Sequence, residues 1–152
     1  DLSVHLGIAN KGLFFSYFTV TSLISRVLGG RLSDEFGRRK VLIFAMLIVG
    51  TGSVYIGFSS SAFHFFTGAL IFGAGYGLSS PALFAWAADL APDKFRGRGF
   101  STLFMALEIG IGMGAMLAGQ IYNGNPENFP VVFAGCGSLA FLAFVYLLFK
   151  GK

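Results

Sequence analysis

The sequence predicts an all-α integral membrane protein that crosses the bilayer five times, and three observations predict it. Of its 152 residues, 55% are hydrophobic and 12% charged, whereas a soluble domain is nearer a quarter charged. Its charges act as punctuation: the 48 residues between Lys40 and Asp89 carry no formal charge, His64 aside, which leaves room for two crossings of about 20 residues each. The apolar runs are also solid, whereas transmembrane strands alternate apolar and polar residues over about ten positions. The 22 glycines fit the same class, because small residues let membrane helices approach closely.

The first crossing is expected over residues 12–33, with Arg26 and Arg31 toward its later end. The long uncharged span divides at "GFSSSAFHF", where three serines interrupt the apolar pattern, giving crossings at 41–59 and 63–88. Residues 99–122 form a fourth, with Glu108 as its one charge, and the uncharged run 129–149 a fifth.

Lys and Arg set the orientation. With the 34–40 loop in the cytoplasm, Arg26, Arg31, Arg38, Arg39, Lys40, Lys94, Arg96, Arg98, Lys150 and Lys152 gather on that side, and Lys11 alone stays opposite. Ten against one predicts a cytoplasmic C-terminus. No signal peptide pattern opens the chain. It starts at Asp1 rather than Met, which is expected of a fragment of a longer protein.

Several chemistries find no support. A basic patch can mean nucleic acid, but these cations follow the membrane side, so no nucleic acid partner is expected. The run "GIGMGA" (Gly110 to Ala115) fits a dinucleotide fingerprint in letters only, since that fingerprint needs a preceding strand. Phosphate-loop, metal-ligand and nucleophile-elbow patterns are absent, His5 and His64 are isolated, and Cys136 has no disulfide partner. No enzyme activity, metal or cofactor is expected.

The stretch "GGRLSDEFGRRKVL" concentrates six charges among glycines. Gly30, at the expected helix end, permits close backbone contact, and Gly37 permits a turn conformation closed to other residues. Asp34 is expected to follow the helix directly, where its carboxylate can accept N–H bonds at a helix start and pair with Arg38. The plainer reading is an orientation signal with incidental acids.

This stretch resembles the loop signature of the major facilitator superfamily, G-x-L-a-D-r-x-G-r-k/r. Gly30, Leu32, Asp34, Gly37, Arg38 and Arg39 fall on its positions, and Glu35 replaces a frequent basic residue. The preceding "LFFSYFTVTSLISR" is similar to bacterial drug- and sugar-efflux members. "GYGLSSPALFAWAADLAPDKFRGRG" is similar to the family's helix 4 or 10 region, ending on Pro92, Arg96 and Gly97. Two departures point to the C-terminal half. No arginine stands near Thr67 and Gly68, and Ala115 and Ala118 replace the proline and a glycine of the fifth-helix pattern. The resemblance thus implies helices eight to twelve of a twelve-helix carrier, a partial half-bundle lacking its seventh helix and N-terminal half, with the basic tail "KGK" as a natural C-terminus.

Such carriers are two halves that rock about a central site. The resemblance implies that Asp34, Arg38 and Arg39 latch the halves at the cytoplasmic face. It implies that Gly73 with Gly77, and Gly110 with Gly114, form small-xxx-small packing steps. Glu108 lies about 15 Å along its helix from Arg98 at 1.5 Å per residue, near mid-bilayer, where a charge costs at least ~2.5 kcal/mol and should face a cavity or a partner. It is the candidate proton carrier; the plainer alternative is a neutral carboxyl bonded to a neighbouring helix. Arg26 sits at comparable depth, able to pair with Glu108 on depth alone or to reach toward the cytoplasm. Tyr76 is a candidate substrate contact, with buried packing as its simpler reading, and Trp86 and Asp89 read as interface anchors.

The expected function is secondary transport of a small solute by alternating access, driven by protons, in a multi-pass permease of the bacterial inner membrane. The expected partners are the solute, the bilayer and the missing half. A non-transporting membrane scaffold or sensor on the same fold is the alternative.

Overall fold

The computed structural model describes residues 2–8, 10 and 12–149. Lys11, Lys150 and Lys152, three of the cations that set the expected orientation, lie outside the described residues, as does Asp1. Among the described residues there are no strands.

A short helix α1 (Leu2–His5) precedes five long ones: α2 (Gly12–Phe36), α3 (Arg38–Gly57), α4 (Ala62–Leu90), α5 (Arg96–Tyr122) and α6 (Phe129–Phe149). All five are long and apolar enough to cross a membrane. Their starts and stops follow local chemistry. The Asn10 side chain accepts the Gly12 N–H at 3.1 Å to open α2, and Ser61 caps α4 by accepting from the His64 N–H. Asn123 (φ 44°) and Gly124 (φ 72°) close α5 in the left-handed region, the usual way to end a helix. The Asn128 amide then donates to the Ile121 and Tyr122 carbonyls at 3.0 and 3.3 Å, two of the acceptors that every helix C-terminus leaves without partners. Pro81 lies inside α4 and has no N–H for the Gly77 carbonyl, a gap that membrane helices tolerate where neighbours pack closely.

The boundaries differ from expectation mainly at the first turn. The first helix runs on through Asp34 and Glu35 to Phe36, and one residue, Gly37 at φ 92°, reverses the chain into α3. That φ is open to glycine and strained for other residues, so the whole connection compresses onto it. Asp34 therefore sits in the last turn of α2 rather than after it, and it does not cap α3, whose N-cap is Gly37 without a side-chain bond. The other spans shift by a few residues: α3 ends at Gly57, α4 covers Ala62–Leu90, α5 begins at Arg96, and α6 keeps 129–149.

The helices pack in the order α2, α4, α3, α6, and α5 touches α4 and α6 only lightly. Small residues set the distances. A methyl built on Gly73 would lie 2.7 Å from the Phe18 carbonyl oxygen of α2, and one on Gly77 would strike the Ser22 carbonyl. Ser22, Ser25, Gly29 and Ser33 form the buried stripe of α2 that faces this seam. The opposite side of α4 meets α3 equally closely, at Gly75 against Val49 N (2.7 Å) and at Gly52 of α3 against Phe72 N (2.8 Å). Two apolar clusters close the ends. Leu2, Ile56, Phe65 and Phe129 form one. Val41, Leu42, Ala82 and Leu147, with Trp86 packed against them, form the other.

Candidate functional site

Because Gly37 makes the entire turn, Arg38 and Arg39 open α3 directly beside the last turn of α2. The Arg38 guanidinium forms ion pairs with Asp34 of α2 and, through Nε at 3.2 Å, with Asp89 at the end of α4. Its Nη1 also donates to the hydroxyl of buried Ser33 at 3.3 Å. Arg39 points elsewhere. Its Nε and Nη2 donate to the backbone carbonyls of Leu147 and Leu148 at 2.8 and 3.0 Å, acceptors of the last turn of α6 that have no partner within the helix. Two adjacent arginines thereby tie together one end each of α2, α3, α4 and α6.

This hub is shielded but wet. The Arg38 side chain is 27% exposed, while the Asp34 and Asp89 side chains are 68% and 57% exposed. Carboxylates that remain hydrated lose little when a pair opens, so the geometry holds the turn in place without freezing it. Sequence reasoning placed Asp89 only as an interface anchor. Its role depends on a contact 51 positions away, and no local pattern announces that distance. The same holds for Arg39 and the α6 carbonyls.

The remaining candidates are scattered. Gly30, expected at a helix end in close backbone contact, lies inside α2, where a methyl would meet nothing within 4 Å among the described residues outside its own stretch of helix. The close approach belongs to its neighbour Gly29, where a methyl would lie 3.1 Å from the Leu78 Cα. Leu32 is exposed beside the turn. Gly73 and Gly77 lie in the α2–α4 seam, whereas methyls on Gly110 and Gly114 would meet nothing within 4 Å among the described residues outside their own stretch of helix. Tyr76 stands 46% exposed with its ring 5.6 Å from that of Phe18.

Arg26 and Glu108 are both exposed, and the pair that depth alone allowed is not formed. The ion pairs among the described residues are Arg38 with Asp34 and Asp89, and Arg96 with Asp93. Arg26 is carried on α2 and Glu108 on α5, a helix with no buried residue, held on α4 through Phe84 against Phe100 and Phe104. No group of three or more potential metal ligands occurs among the described residues.

Comparison with known proteins gives the family and the fold. The sequence profile described as Major Facilitator Superfamily matches residues 2–152. The chain is 28% identical over 120 residues to "Multidrug resistance protein 2" of Bacillus subtilis (strain 168), covering 76% of this chain and 30% of that protein. It is 28% identical over 150 residues to "Tetracycline resistance protein, class H" of Pasteurella multocida, covering 99% and 36%. Among solved structures, the proton:xylose symporter XylE, bound to 6-bromo-6-deoxy-D-glucose, superposes with a TM-score of 0.78 at 25% identity, over 93% of this chain and 35% of that one. The chain thus spans about a third of the length of these relatives.

Proposed function

This chain belongs to the Major Facilitator Superfamily, and from that premise we propose that it is the C-terminal part, helices eight to twelve, of a secondary transporter that moves a small solute by alternating access. Its relatives are transporters, not enzymes. Drug and sugar carriers both appear among them, so the solute class stays at "small solute". The proposed setting is a bacterial inner membrane with the α2–α3 turn and the C-terminus in the cytoplasm, as the distribution of Lys and Arg supports. The proposed driving ion is the proton, with Glu108 as its carrier.

The observation that carries the alternating-access reading is the Arg38 hub. A rocking carrier needs each half to move as a body, and one guanidinium shared between the ends of α2 and α4, beside Arg39 on the end of α6, fastens four helices at one membrane face. α5 supports the reading from the other side. It has no buried residue and touches its neighbours lightly, as befits a helix whose main partners lie in an N-terminal half of the same transporter.

The test is substrate transport by the intact protein in membrane vesicles, normalised to inserted protein. Arg38→Ala is expected to slow turnover several-fold while leaving insertion unchanged. Arg38→Lys is not expected to restore it, since an ammonium lacks the planar fork that serves two carboxylates and a hydroxyl together. Full rates in both variants would remove the hub from the mechanism.

A further inference from the structure

α2 and α3 each pack along α4 but touch each other far less, and a groove opens between them. It measures about 330 Å³ and is lined by Leu32 and Phe36 of α2, Lys40, Val41 and Phe44 of α3, and Leu78 of α4. Phe36 is 59% and Phe44 60% exposed, so the groove presents aromatic surface that nothing in the described chain covers. Lys40 differs from the two arginines before it. Arg38 and Arg39 are spent on the hub, whereas the ion pairs and side-chain hydrogen bonds found among the described residues leave Lys40 out. Arg31, exposed and next to Leu32, adds a second cation nearby, against the exposed acid Glu35.

An apolar wall with a free ammonium at a helix end matches a phospholipid, whose acyl chain and phosphate have that same order across a membrane surface. Basic pockets between membrane helices select anionic headgroups over zwitterionic ones. We propose that this groove binds an anionic phospholipid, with an acyl chain against Leu32, Phe36 and Phe44 and the phosphate on the Lys40 ammonium. The inference rests on the membrane-spanning part of the reading above and not on transport or its coupling, so the two fail separately.

The test uses the intact protein in phosphatidylcholine nanodiscs doped with a trace of phosphatidylglycerol or phosphatidylcholine carrying a photoactivatable acyl chain. Adducts are mapped by mass spectrometry. Phosphatidylglycerol is expected to label residues 32–44 about fivefold more than phosphatidylcholine, the enrichment one lysine near an anionic surface supplies. Lys40→Gln is expected to abolish that excess and Lys40→Arg to keep it. Equal labelling by the two lipids, or an excess that survives Lys40→Gln, overturns the proposal. So does an absence of labelling by both, which is the result if another part of the polypeptide covers the groove.

Discussion

Replacing Gly77 with alanine is expected to lower the thermal midpoint of the intact protein and its yield of folded material, and Gly77→Leu is expected to abolish folding. A methyl at this position strikes the Ser22 carbonyl oxygen and lies 2.8 Å from the Ser25 Cβ. The first obstacle is backbone, which cannot swing aside as a flexible side chain can, so α2 and α4 must separate along the seam that also holds Gly73 against Phe18. Overpacking of a close contact costs about 1–3 kcal/mol for small additions, a large share of a typical total stability near 5–15 kcal/mol. In a bilayer the loss is not offset by hydrophobic collapse, because helix association there depends on close van der Waals contact. Gly110→Ala is the paired measurement. Among the described residues, nothing outside its own stretch of helix lies within 4 Å of a methyl there, so within these residues the change costs nothing and improves helix propensity. A drop comparable to that of Gly77→Ala would show that Gly110 is covered by something outside these residues, as the proposed N-terminal half would do.

The contrast between these glycines shows what a sequence discloses and what it withholds. Spacing marks Gly73/Gly77 and Gly110/Gly114 alike as small-xxx-small steps, because both pairs sit four apart on membrane helices. Which of them meets a neighbour depends on how helices are ordered around the bundle, and α4 is closely packed on two sides while α5 touches α4 and α6 only lightly. The five crossings were legible because bilayer thickness imposes a length that charge-free runs reveal directly. Their ends were less so. The first helix passes through two acids to Phe36 because polar residues at a membrane surface do not stop a helix when one glycine can turn the chain. Asp34 and Arg38 stand only four positions apart across a one-residue turn, so their proximity could be anticipated. Asp89 and the α6 carbonyls could not, since nothing local to residues 38 and 39 specifies which distant helix ends arrive beside them.

Glu108→Gln is expected to abolish accumulation of solute against its gradient while leaving insertion and downhill exchange intact. One proton moving through 100 mV releases ~2.3 kcal/mol. At 1.4 kcal/mol per tenfold, that sustains a solute ratio of about fiftyfold across the membrane. A glutamine cannot take up or release that proton, so the ratio should collapse toward one. The substitution also separates the two roles open to this residue. Glutamine keeps the size of glutamic acid and can both donate and accept hydrogen bonds, so a carboxyl that merely bonds a neighbouring helix would be replaced with little loss. The structure places Glu108 on α5, a helix with no buried residue, exposed and without an ion pair among the described residues, and at the mid-bilayer depth the sequence predicts a carboxylate is costly to retain unless it is used. Exchange driven by solute alone provides the internal control, because it needs the moving parts but not the proton. Accumulation that survives the change would assign coupling to another group or another ion, and a parallel loss of exchange would mean that Glu108 serves the fold or the solute rather than the proton.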